Sequence, residues 1–265
     1  MTTLAEAPRA TDRALARAVL GRALKLGFDR PGDALLEAFF SRQGRQALRV
    51  AARNLDGEQN GRLEAALESV CASRSPGLDP LNEAYERLFG HTLRGRVCPY
   101  ECEYGRQALL MRSNELADLG GFYAAFGLRS SDTRHERHDH IACEFEFLEF
   151  LSRKECWAIE QGDTEMAEVT LSAVGSFLTR HLARFGRAFA RSLRDTETLP
   201  FYNTLGRLCE VFLLVECARL GVAVGPKVLT LRSTEPDKVP MACGSESDDL
   251  VQIGRGECPE PGEVA

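Results

Sequence analysis

The sequence predicts an all-α protein, a single helical bundle domain followed by a C-terminal tail. Three observations carry that expectation. Apolar residues recur at helical spacing through most of the chain, glycines punctuate the repeats as stops, and convincing strands are absent. At 265 residues the chain can bury a sizeable core and sits near the upper limit for one domain.

In order along the chain, residues 14–26 place Ala14, Leu15, Ala18, Val19 and Leu26 on one stripe, with Asp12 as N-cap and Gly27 as stop. Pro31 starts a second segment whose apolar face is Leu35, Leu36, Phe39 and Phe40. Shorter helices are expected over 63–70 and 81–89, separated by the turn-forming run Ser73-Arg74-Ser75-Pro76-Gly77. Residues 105–126 form a long candidate helix, with Gly120-Gly121 as its point of breakage. Another spans 139–160 and closes at Gln161-Gly162. Asp163 or Thr164 caps the next, which runs through Leu178, Leu182, Phe185 and Phe189. The last spans 199–220 and ends at Gly221. Only residues 222–231 are enriched in β-branched side chains, and Gly225 and Pro226 interrupt them.

From Ser233 the chain is rich in Pro, Gly, Ser and Glu and poor in large apolar residues. Such a segment cannot bury enough surface to offset the entropy of ordering. The expected organisation is a helical domain over residues 1–232 and a mobile acidic tail over 233–265.

With 44% hydrophobic and 27% charged residues, the composition is that of an ordinary soluble globular protein. The net charge of −6 offers no basic face for nucleic acid, and the arginines are interleaved with Glu and Asp as on solvated helix faces. No apolar run approaches the roughly 18–20 residues that span a bilayer. Arg9, Arg13, Arg17 and Arg22 interrupt the N-terminal stretch, which therefore lacks a signal-peptide core. A cytoplasmic protein is expected, with its nine cysteines as thiols rather than disulfides.

The stretch from Glu136 to Leu151 crowds histidines and carboxylates at the start of an amphipathic segment. His135, His138, His140 and Cys143 are suitable metal ligands by type, but only His140 and Glu144 share the i, i+4 spacing that puts two ligands on one helix face. Cys98 and Cys102 lack a second clear cysteine pair in the helical region, and Pro99 makes theirs a loop. Asp139 and His140 are adjacent, so on a helix they point about 100° apart and do not form a catalytic dyad. No nucleophile elbow, phosphate loop or dinucleotide fingerprint occurs. Two readings remain open for these residues: helix capping with solvation, or a polar surface that recognises a peptide.

The same residues resemble a known family. Glu136-Arg137-His138-Asp139-His140-Ile141, followed by Glu144-Phe145-Glu146-Phe147-Leu148, is similar to the hallmark of the TorD/DmsD/NarJ group of redox-enzyme maturation chaperones. His181-Leu182, Phe185 and Phe189, then Pro200-Phe201-Tyr202 and Leu205, form a second match. A third, Cys98-Pro99-Tyr100-Glu101 with Glu103-Tyr104 and then Glu115 to Gly127, looks like the branch serving ethylbenzene, dimethylsulfide, selenate and chlorate oxidoreductases. Two positions depart from the pattern: His138 stands where proline is usual, and Phe185 where tryptophan is common.

The resemblance implies an all-helical cytoplasmic chaperone with no catalytic residue, metal site or cofactor of its own. Its client would be the catalytic subunit of a molybdenum oxidoreductase, engaged through a twin-arginine leader or held during cofactor insertion before export. Asp139, His140 and Glu144, with Glu136, would line the client groove. Tyr123 and Tyr202 would support it, with core packing as their alternative role. Loss of Asp139 or His140 would then weaken binding more than stability. The protein would be a monomer or a domain-swapped dimer. The rival reading is a metal- or redox-responsive regulator using Cys98, Cys102 and the tail cysteines Cys243 and Cys258.

Overall fold

A computed structural model describes residues 8–56, 61–90, 95–105, 109–129, 137–196 and 199–232. Among them the chain forms ten α-helices, one 3-10 turn and no strand longer than an isolated bridge. The expected tail from Ser233, with Cys243 and Cys258, lies outside the described residues, as do Glu136 and His135. No helix among the described residues is long and apolar enough to cross a membrane.

α1 (Ala10–Phe28) buries Ala14, Ala16, Ala18, Leu20, Ala23, Leu24 and Phe28. Leu15, expected on the inner stripe, is 49% exposed, because small alanines rather than large residues make the closest helix contacts. The N-cap is Arg9, and Asp12 sits in the first turn accepting the Arg9 backbone N–H at 3.2 Å. Gly27 does not stop the helix. A Cβ there would lie 2.6 Å from Leu205 Cδ2, so glycine serves a close approach to the last helix.

α2 (Asp33–Phe40) agrees with its apolar pattern, whereas α3 (Arg42–Asp56) had no counterpart in the sequence expectation. Its stripe is modest, Leu48, Ala51 and Ala52 with Leu55, and is hidden among Arg42, Arg45, Arg49 and Arg53. α4 (Arg62–Cys71) and α5 (Leu78–Phe89) follow. α6 (Leu109–Ala125) runs unbroken through Gly120-Gly121. α7 (Ile141–Gln161) is closed by Gly162, whose φ of 68° suits a residue without a side chain.

The expected helix through Phe189 is two helices, α8 (Thr164–Arg180), capped by Asp163, and α9 (Leu182–Asp195). They meet at His181, whose backbone at φ −130° and ψ −98° is not helical. α10 (Pro200–Leu220) ends at Gly221, with φ of 65°.

The core is centred on α1, α7, α9 and α10. Phe28 meets Phe189 edge-on at 5.1 Å and Phe145 at 5.8 Å, and Phe145 meets Phe212 at 6.2 Å. A second aromatic layer joins α6, α7 and α8 through Phe122, Phe147 and Phe177, with centroids 4.9–6.5 Å apart. Arg17, expected on a solvated face, is instead buried and pairs with Glu155 at 2.6 Å and Glu216 at 3.8 Å. Three helices, α1, α7 and α10, therefore share one buried charge cluster.

Candidate functional site

The motif at the start of α7 meets the Cys98–Tyr104 loop through the backbone first. Ile141 N–H donates to Pro99 O at 2.8 Å, and Glu101 N–H donates to Asp139 O at 2.9 Å. Tyr100 and His140 form an antiparallel bridge. Residues Glu101–Glu103 make a 3-10 turn, and Tyr104 Oη donates to Cys98 O at 2.7 Å, closing the loop on itself.

Side chains then lock this junction. Asp139 is fully buried and accepts the Cys102 backbone N–H at 3.0 Å. Arg137 grips the same carboxylate with two bonds of 2.9 and 2.7 Å, the planar fork geometry that suits a carboxylate. The Arg137 guanidinium also lies over the Tyr100 ring, reaches Glu103 Oε1 at 3.1 Å, and shares that carboxylate with Arg112 at 2.8 Å. Asp139 was one candidate for the helix cap, but the cap is His140, whose Nδ1 accepts the Ala142 N–H at 3.1 Å. Asp139 is free of that task and turns its side chain to the loop.

A second chain of charges runs beside the first. His181 is held between two carboxylates, with Nδ1 3.0 Å from Glu101 Oε2 and Nε2 3.1 Å from Asp118 Oδ2. The clamp sits at the break between α8 and α9, where the His181 backbone leaves helical geometry. Arg180 pairs with Asp118, and Arg184 links Glu101 to Glu115 at 3.5 and 3.3 Å. Arg232, near the end of the described chain, completes the series at 2.6 Å from Glu115. Burial raises the Glu101 carboxyl above its usual range, and its bond to His181 pulls the other way.

Glu144 stands apart. It is completely buried and neither of its oxygens has a hydrogen-bond partner. Burial, then the charges of Glu101 and Asp139, holds its carboxyl well above the usual range, so it is kept as the neutral acid. The sign of the resulting pH dependence follows. The folded protein binds this proton more tightly than the unfolded chain. Its contribution to stability is therefore full below the unfolded pKa and is lost as pH rises towards the raised folded value. Glu144→Gln, which never ionises, should melt higher than the parent at about pH 8, with the gap closing by about pH 4. Paired melting curves measure this, and a variant that melts lower at both values would mean a charged, partnered Glu144.

The candidate residues are thus brought together, but inside the protein. Asp139, His140 and Glu144 are buried in this conformation, and Tyr202 lies in the core with its Oη donating to Leu81 O at 3.4 Å. Tyr123 is half-buried at the margin, its Oη donating to His138 O at 2.9 Å. Sequence reasoning missed Glu103, Arg137, His181, Arg184 and Arg232 as members. Two acids flanking Cys102 and an arginine two residues before Asp139 were the available signals.

Cys98 and Cys102 are buried, and burial, followed by the Asp139 and Glu101 charges, pushes the Cys102 thiol far up and keeps it protonated. Among the described residues, no three His, Cys, Asp or Glu side chains are gathered as a metal site.

This arrangement falls within a recognisable sequence class. The family described as nitrate reductase delta subunit matches residues 54–191, which include the loop, the α7 motif and His181. The chain belongs to that family. It is 36% identical over 101 residues to the chlorate reductase assembly chaperone protein of Ideonella dechloratans, covering 37% of this chain and 51% of that protein. It is 35% identical over 103 residues to the selenate reductase assembly chaperone protein of Thauera selenatis, covering 38% and 52%. Chaperone protein TorD of Photobacterium profundum is 26% identical over 133 residues, covering 50% and 60%. The chain spans about half the length of the curated relatives it matches.

Proposed function

We propose that the protein is a cytoplasmic, system-specific chaperone for a molybdenum oxidoreductase. It binds the catalytic subunit, or that subunit's twin-arginine leader, and assists cofactor insertion and assembly before export. One observation carries the reading: the family match contains the loop and motif that build the buried network, and relatives of this chain are named as assembly chaperones of chlorate and selenate reductases.

The chemistry of the site supports a role without catalysis. Both His181 nitrogens are occupied by carboxylates, so the ring has no free position from which to accept a substrate proton. Burial favours the protonated forms of Glu144 and Cys102, which does not suit a nucleophile. The same protonated, buried thiol disfavours the rival redox reading.

Client contact at Asp139, His140 and Glu144 requires the Cys98–Tyr104 loop to lift, while Tyr123 marks the accessible margin and Tyr202 stays in the core. Opened in this way, Asp139 and Glu103 can exchange their present arginine partners for a cationic client segment. Affinity purification from the native cell tests the reading. The expected result is retention of one large molybdenum-enzyme subunit; recovery of the chain with bound metal and no subunit would favour the regulator.

A further inference from the structure

The segment after α10, Val222–Arg232, lies across the charge network and is fastened at two places. At the first, Gly225 N–H donates to Ala183 O at 2.9 Å. The approach there is so close that a Cβ at position 225 would lie 2.2 Å from Arg184 O. At the second, Gly105 N–H donates to Thr230 O at 2.9 Å, and Arg232 N–H donates to Glu103 O at 2.8 Å. The Arg232 side chain, itself buried, donates to Tyr104 O at 3.2 Å and to Glu115 Oε2 at 2.6 Å. Between the fastenings, Val228 and Leu231 are exposed. The segment has no helix of its own, and its only ladder contact among the described residues is the isolated bridge of Leu231 to Tyr104. Val222, Val224 and Leu229 pack half-buried against the core, and a strap without regular hydrogen-bonded structure belongs to the less stable part of a fold.

Its chemistry is that of a resident ligand. Arg232 places a buried guanidinium against Glu115, a carboxylate it shares with Arg184, which in turn reaches Glu101. The strap also holds down Glu103, Tyr104 and Gly105, the end of the loop that covers Asp139. It lies beyond the residues matched by the family.

We propose that Val222–Arg232 is an autoinhibitory latch: Arg232 occupies Glu115, the carboxylate that a cationic group of the client takes, so strap closure and client binding compete. This rests on the chaperone reading above. Opening the strap removes the competitor and frees the loop to lift. A site that is competent only when the strap is open has its apparent affinity reduced by the open fraction.

The test uses the full chain and a fluorescent synthetic peptide carrying two adjacent arginines, with a control in which both are glutamine. Arg232→Met removes the competitor. Gly225→Ala drives the other fastening apart without replacing Arg232 or any carboxylate, and it decides the matter if the first variant fails to fold. Both variants should bind the arginine peptide at least about tenfold more tightly than the parent, or about 1.4 kcal/mol, with the control unchanged. In the parent, peptide binding should speed hydrogen exchange at the Gly105 and Arg232 amides and leave the middle of α7 unchanged. Equal or weaker binding by variants that fold, while the parent binds the peptide, overturns the latch and leaves the chaperone reading standing. No binding by parent or variants overturns the recognition of a cationic client, and the latch with it.

Discussion

Asp139→Ala should melt far below the parent protein, by roughly 3–5 kcal/mol, the range for removing one member of a buried, hydrogen-bonded charge pair. Two groups lose bonds at once. The buried Cys102 N–H is left without its acceptor, and Arg137 loses both bonds that fix it over Tyr100. For a chain of this size the drop corresponds to roughly 6–20 °C in melting temperature. Asp139→Asn keeps one acceptor for Cys102 and should lose about 1–3 kcal/mol. The sequence leads to the expectation that loss of Asp139 weakens binding more than stability; complete burial adds a large stability cost beside any loss of binding. Thermal and denaturant melts measure it, and an Asp139→Ala variant within about 0.5 kcal/mol of the parent would place the carboxylate at the surface.

Arg17→Ala is the second large effect, expected at about 3–5 kcal/mol. Arg17 neutralises Glu155 and sits near Glu216, which Arg219 also engages at 2.8 Å. Without Arg17, Glu155 becomes a buried charge with no cation, at the point where α1, α7 and α10 meet. Adding Glu155→Gln should therefore recover a large part of the loss, since the two residues are in contact and their effects are not additive. Losses that simply sum in the double variant would show that the pair is not coupled and that Arg17 acts through packing of its stem.

These two residues also show where the sequence stops being legible. Helix existence was legible because apolar spacing and glycine stops are local: α2, α4, α5, α7 and α10 fall where their patterns place them. α3 was not, since its inner stripe is largely alanine among four arginines. The break at His181 was not, and the carboxylates that hold its ring come from distant parts of the chain. Gly27 read as a stop because its real partner, Leu205, is far away in sequence. The site behaved in the same way. The motif at residues 136–144 was visible as an unusual concentration of chemistry, and its neighbourhood with the Cys98–Tyr104 loop was visible through resemblance. Burial was not visible. Whether Asp139 or Arg17 meets water depends on what packs over it, and side-chain type and helical spacing carry no record of that.

The proposed function is that this protein holds the catalytic subunit of a molybdenum enzyme while that subunit is immature. The most direct measurement is the composition and mass of the complex retained on the untruncated chain in its native cell, by mass spectrometry and light scattering. A defined complex with one large catalytic subunit, released when the subunit acquires its cofactor, is the result predicted. A chain recovered alone, or with mature cofactor-loaded enzyme held as tightly as the empty subunit, would contradict it.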